Sequence, residues 1–335
     1  MSATGVTATR QDLGDVRAIE HGTPRALKPR VHLKLAAAAS LIFVFGVARA
    51  QTYDQLVDLY RYDHAAPLNV HMDAMPTRGG FRLYSVRYAM PKTGHVSGFL
   101  VVPDGTGRRP AIVWTHSGGP RQYLGDAVLL AKAGAVSIVV GEAEDLPGGT
   151  SELARDRLIA DIVALRRAVD VLENRDDVDG TRIALVGHSS GAMMGAVAAS
   201  IDKRFRAAVF EVGELGMSVH IGTSPGDWAT RTRKELGKDL PHFLRAISAV
   251  DAGNYIGHAP AIPKLFQSAW YDPGVPHKDA QDFFDAATGP KELKWYDTGH
   301  DIDDIAAMAD RARFLAKALG LEGIEGLLQK SIGQR

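Results

Sequence analysis

The segment richest in chemistry is Ile183-Ala184-Leu185-Val186-Gly187-His188-Ser189-Ser190-Gly191-Ala192-Met193, a Gly-x-Ser-x-Gly pattern centred on Ser189. An apolar, β-branched run feeds directly into it, and a helix of small residues (Gly191, Ala192, Gly195, Ala196) is expected to leave it. A serine on such a sharp strand-to-helix turn has its hydroxyl lifted above the sheet edge, and flanking glycines remove side chains that would clash there. The helix N-terminus behind it favours developing negative charge. A serine hydroxyl is nonetheless a weak nucleophile near neutral pH, so it needs a base within hydrogen-bond reach and an acid to orient that base. The chain contains no cysteine, which excludes a thiolate nucleophile, disulfides, thiolate zinc sites and iron–sulfur clusters.

The elements that must hold this turn follow from hydrophobic patterning. Residues 81–88 alternate as a half-buried strand, and Val96–Val102 returns as its partner after a turn at Pro91 to Gly94. Further strands are expected at Ala111–Trp114, Val136–Val140, Ile183–Val186, Ala207–Val212, Ile262–Gln267 and Leu293–Tyr296. Helices are expected at Ser151–Glu173, Ser190–Ser200 and Asp301–Leu319, the last stopped by Gly320. Strands alternating with helices imply a mostly parallel central sheet covered on both faces, with the antiparallel pair forming one edge. Residues 213–258 interrupt the rhythm and are expected to form a small inserted cap. The expected organisation is a leader over 1–50, a lead-in over 51–80, an α/β domain over 81–320 and a C-terminal tail over 321–335.

With these motifs in place the chain resembles the α/β-hydrolase superfamily, in particular its dienelactone-hydrolase-like and acetyl-esterase/prolyl-oligopeptidase-like branch. The resemblance spans roughly Arg82 to Leu319 and rests on Gly-His-Ser-Ser-Gly at 187–191, His-Ser-Gly-Gly-Pro at 116–120, Tyr-Asp-Pro-Gly-Val-Pro at 271–276 and Thr-Gly-His-Asp at 298–301. True dienelactone hydrolases use a cysteine nucleophile, so their activity is not implied. The resemblance implies an α/β-hydrolase fold and a catalytic order of serine, acid, histidine. On that order His300, in the loop after the last strand, is the expected base, and Asp272, opening the turn after Ile262–Gln267, the expected acid. Glu211 and Glu214 at the end of the preceding strand are the alternatives for the acid, with the Asp301–Asp304 cluster behind them.

Acyl transfer also needs donors aimed at the developing oxyanion. The N–H of Ser190 is one, and the second is expected from the loop after Trp114: the N–H of Gly118, with Ser117 as the alternative. Tyr123, Trp228, Trp270 and Tyr271 are the aromatic candidates for a substrate pocket wall. These assignments imply a serine hydrolase of carboxylic esters. The alternatives are a peptidase of the prolyl-oligopeptidase-like branch and a non-catalytic binding protein on the same fold.

Equal numbers of basic and acidic groups, 39 each, give no electrostatic argument for nucleic acid. No His-Glu-x-x-His, Gly-x-Gly-x-x-Gly or Gly-Lys-Ser/Thr motif occurs, so no metal or nucleotide cofactor is expected. The expected partner is a small-molecule ester. Near the N-terminus a basic stretch, an apolar run from Leu35 to Ala48 and a small-x-small site at Ala48-Arg49-Ala50 read as a signal peptide over 28–50. At about 1.5 Å per residue that run spans about 21 Å, short of a bilayer core, so cleavage near Ala50 and a secreted or periplasmic product are expected, with no stable membrane insertion afterwards.

Overall fold

The computed structural model describes residues 51–332, apart from 93 and 146–149, so the expected leader and its cleavage site lie outside the described residues. Helix α1 (Tyr53–Asp58) starts on a capping box in which the Thr52 and Gln55 side chains each bond the other's backbone. It precedes an exposed edge strand, β1 (His71–Met75), so the expected lead-in carries structure of its own. Strands β2 (Phe81–Ala89) and β3 (His95–Pro103) form the anticipated hairpin, followed by β4 (Arg109–His116), α2 (Leu124–Lys132), β5 (Val136–Glu144) and α3 (Ser151–Glu173). The nucleophile segment comprises β6 (Val178–His188) and α4 (Ser190–Ile201), and β7 (Phe205–Glu211) follows. Helices α5 (Met217–Thr223), α6 (Asp227–Leu236) and α7 (Leu240–Ile247) then fill most of the interval before β8 (Lys264–Ala269). The chain closes with α8 (His277–Ala286), β9 (Lys291–Tyr296), α9 (Ile305–Leu319) and α10 (Ile324–Ile332).

The strands form one open sheet in the order β1-β2-β3-β5-β4-β6-β7-β8-β9. The first three, and the β3–β5 contact, are antiparallel; every pairing from β5 to β9 is parallel. Successive residues of the central strands face opposite cores, as the two-residue strand period requires. Val113, Leu185 and Phe210 pack with Leu165 and Val169 of α3 on one side. Ile112, Trp114 and Val186 pack with Leu130 of α2 and Leu315 of α9 on the other.

Two local features differ from the sequence reading. Helix α9 begins at Ile305, not Asp301, because the Asp304 carboxylate caps it by accepting from the N–H groups of Ala306 and Ala307. Its other end is fixed as expected by Gly320 in the left-handed region at φ 66°. The expected C-terminal tail contains α10, whose Ile324 and Leu328 bury against the α2–α9 face.

Candidate active site

Ser189 sits where β6 hands over to α4, with φ 56° and ψ −120°. A non-glycine residue there stores strain of about 1–3 kcal/mol, which neighbouring structure must hold in place. Its N–H is fixed to the carbonyl of Glu211 at 2.9 Å. The turn is so tight that a Cβ on Gly187 would lie 2.3 Å from the carbonyl oxygen of Gly191, and one on Gly191 would lie 2.6 Å from that of Thr115. Both glycines of the motif are therefore required by close backbone approach. Although Ser189 occupies the N-cap position of α4, its hydroxyl makes no cap bond. It faces His300 Nε2 at 2.9 Å instead.

The line continues from His300 Nδ1 to Asp272 Oδ2 at 2.7 Å. The other Asp272 oxygen accepts from the N–H groups of Gly274 and Val275 at 2.7 and 2.9 Å, so the Pro-Gly turn after β8 orients the carboxylate. Burial opposes charge on both partners. It is outweighed in each case: the hydrogen bond and charge of Asp272, with Asp301 and Glu214 adding, raise the His300 pKa, while His300 and the two backbone donors lower that of Asp272. The sequence-predicted serine, histidine and acid thus converge in one hydrogen-bonded row.

The rival acids are occupied elsewhere. Glu211 is buried against Arg311, and its second oxygen accepts from the Tyr123 hydroxyl at 2.9 Å. Glu214 is buried and pairs with His220 Nδ1.

Two expectations need correction. The N–H of Gly118 is turned onto His116 Nδ1 at 2.9 Å, which makes it the poorer oxyanion donor. The alternative, Ser117, lines the cavity beside Ser189 and Ser190, and its hydroxyl bonds His188 Nδ1 at 3.2 Å. The aromatic wall is also different. Tyr123 is only 3% exposed and is held in the interior by Glu211 and by the edge of the His116 ring. Trp270 and Tyr271 are 45% and 70% exposed; Trp270 stacks on Trp295, and neither lines the cavity containing Ser189. Of the four aromatic candidates Trp228 alone lines it, stacked on His220.

That cavity has a volume of about 590 Å³. Met193 and Met194 of α4 lie on the serine side, and Met217 and Ile221 of α5 with Phe243 and Ile247 of α7 line it from the cap. Leu158 and Asp161 of α3 complete the wall, while Glu142 and Arg157 pair at 3.3 Å through exposed side chains. Sequence reasoning did not assign a role to His220, Asp161 or the cap's apolar side chains. Among the described residues, no group of three or more His, Asp or Glu side chains is arranged to hold a metal ion.

A hydroxyl, an imidazole and a carboxylate in this order, on an open parallel sheet at the strand-to-helix turn, define a serine hydrolase of the α/β-hydrolase fold. Residues 151–320, half of the chain, match the prolyl oligopeptidase family, and the chain belongs to that family. No curated protein matches it in sequence. Among solved structures, acetyl xylan esterase 1 from Thermoanaerobacterium sp. JW/SL YS485 is similar with a TM-score of 0.68 at 14% identity, over 81% of this chain and 94% of that one. The acetyl xylan esterase from Paenibacillus sp. R4 gives 0.67 at 20% identity, over 80% and 93%. The acylaminoacyl peptidase of Pyrococcus horikoshii gives 0.57 at 16% identity, over 75% of this chain and 45% of that one. Among the described residues no helix is long and apolar enough to cross a membrane.

Proposed function

We propose that this protein hydrolyses carboxylic esters through an acyl-enzyme, with Ser189 as nucleophile, His300 as general base and acid, and Asp272 orienting His300. The observation that carries this reading is the unbroken row from Ser189 Oγ through His300 to Asp272, at 2.9 and 2.7 Å. Ser189 Oγ attacks the carbonyl carbon as His300 Nε2 takes its proton. The resulting oxyanion is received by the N–H groups of Ser190 and Ser117. Collapse expels the alcohol, which takes the proton back from His300, and water repeats the sequence on the acyl-enzyme. Likeness over 94% and 93% of the two esterases supports ester over peptide cleavage, since the likeness to the acylaminoacyl peptidase covers 45% of that protein. The family assignment keeps peptides as the second reading.

The test is hydrolysis of p-nitrophenyl esters from acetate to dodecanoate by the wild type and Ser189→Ala, with fluorophosphonate labelling of both. Ester turnover and labelling that disappear together in the variant are the expected result. Labelling without ester turnover would move the assignment to peptides, and neither would leave a binding role on this fold. Export with cleavage near Ala50 belongs to the same proposal; it rests on the basic, apolar and small-x-small pattern of 28–50, and the N-terminal sequence of the protein recovered outside the cytoplasm tests it.

A further inference from the structure

Among the described residues the ionisable groups around the cavity pair off, with one exception. Asp272 faces His300, Glu214 faces His220, and Glu142 faces Arg157. Asp161 is left over. It is 9% exposed, its Oδ1 accepts from the N–H of Ala143 at 2.8 Å, and among the described residues its Oδ2 carries no hydrogen bond although the side chain lines the cavity. Arg157, one helical turn before it on α3, is directed to Glu142 and to the carbonyl of Ala143. That oxygen is open to the cavity and not sealed in the protein, so it presents negative charge on a mostly apolar wall, where partial burial disfavours the charge unless a cation meets it.

We infer that Asp161 forms a subsite for a positively charged group, so that the ester or amide substrate carries a protonated amine. This deepens the hydrolase reading and rests on this cavity being the substrate site. The geometry sets the scale. Val140 of β5 and Gly187 of β6 both pair with Thr115 of β4, so the ends of β5 and β6 stand two strand spacings apart, ~10 Å. An ammonium held by Asp161 and a carbonyl held by Ser189 therefore belong to one elongated molecule, its apolar middle against Leu158, Met193 and Met194. Burial first, with Glu142 adding, pushes the Asp161 pKa up to about 6 against the opposing Ala143 N–H and Arg157, which leaves a carboxylate at neutral pH. A bound ammonium would offset the cost of that burial.

The test is direct binding, so it does not depend on catalysis. Calorimetric titration of the full-length protein with n-hexylammonium chloride and with hexanol, at pH 7.5, should give at least about 10-fold tighter binding of the amine, the mark of a charge-assisted bond. Asp161→Asn, which keeps an oxygen for Ala143, should bring the two ligands to equal affinity. Equal binding by the wild type, or preference retained in a folded Asp161→Asn, overturns the proposal. If that variant fails to fold, the exposed Glu142→Gln decides. Releasing Arg157 toward Asp161 should abolish the preference, and an unchanged preference overturns the assignment. Ser189→Ala should still prefer the amine, and fluorophosphonate labelling of the wild type reports separately on the serine. A subsite without a reactive serine and a reactive serine without a subsite are thereby distinguished.

Discussion

The imidazole of His188 donates from Nε2 to the carbonyl oxygen of His300 at 2.8 Å. Its Nδ1 must then accept, and the Ser117 hydroxyl donates to it at 3.2 Å. The ring also lies flat on His116 at 3.9 Å. Burial first, and then His116, push its pKa down to about 3, with the His300 carbonyl the main opposing contact, so His188 stays neutral and holds one tautomer throughout the working range. One side chain beside Ser189 therefore ties the loop carrying Ser117 to the backbone of His300.

Replacing His188 should accordingly act on kcat. Leucine fills much of the space but makes neither bond, and a shift of the order of 1 Å in Ser117 or His300 costs roughly 100-fold in rate. His188→Leu is expected to lose about that factor in kcat with little change in KM. Asn offers one donor and one acceptor, and His188→Asn should recover part of the loss. Steady-state kinetics on p-nitrophenyl acetate separates the two parameters, and a purely thermal defect with normal kcat would contradict the positioning role.

The pH profile follows from the base. In the proposed mechanism His300 must be neutral to take the serine proton, and its pKa is raised because the hydrogen bond and charge of Asp272 outweigh burial. The acid limb of kcat/KM should therefore have its midpoint above the ordinary histidine value of about 6.5. Asp272→Asn removes the charge, so its limb should move to lower pH while activity on the plateau falls by roughly 10⁴-fold. A limb that stays in place in the variant would show that another group controls it.

The elbow was legible because its residue pattern is local, although only Gly187 is demanded by a neighbour in the turn, the carbonyl of Gly191, while Gly191 is demanded by Thr115 on the adjoining strand. Asp272 and His300 were legible through their positions in loops after strands. The pocket wall was not, because side chains there are aimed by partners distant in sequence. Tyr123 turns inward to Glu211, 88 residues away, and Trp270 turns to Trp295 on the next strand. Met217, Ile221, Phe243 and Ile247 carry the spacing of a core-facing helix stripe, and periodicity cannot distinguish a core from a cavity. Strand β1 escaped notice because most of its residues are exposed and it lacks the alternation of a half-buried strand.

Beneath the nucleophile turn, Arg311 of α9 joins the buried Glu211 to Asp126 of α2, the latter at 2.7 Å. The Glu211 carbonyl holds the N–H of Ser189, so this ion cluster supports the site from below. Arg311→Met would strand a buried carboxylate, and breaking such a pair costs about 3–5 kcal/mol. The urea midpoint should fall accordingly at an unchanged slope. A loss below about 1 kcal/mol would mean that water already reaches Glu211.

The elbow glycines offer a contrast that separates strain at the site from crowding in the core. A Cβ on Gly191 meets the carbonyl oxygen of Thr115 at 2.6 Å, and that backbone leads into the loop carrying Ser117. It can yield only by moving strand β4, and with it Ser117, the proposed oxyanion donor. On Gly195, one turn further along α4, a Cβ also comes within 2.6 Å of its nearest neighbour, but that neighbour is Leu185 Cδ2, the far end of a side chain that can change rotamer. Gly191→Ala should therefore reduce the rate of fluorophosphonate labelling by roughly 100-fold or more. Gly195→Ala should label at nearly the wild-type rate and lose about 1–3 kcal/mol of stability at most. Labelling rates and urea midpoints measured side by side would expose the reverse pattern, which would mean that the α4 contact, and not the turn at Ser189, sets the reactivity of the serine.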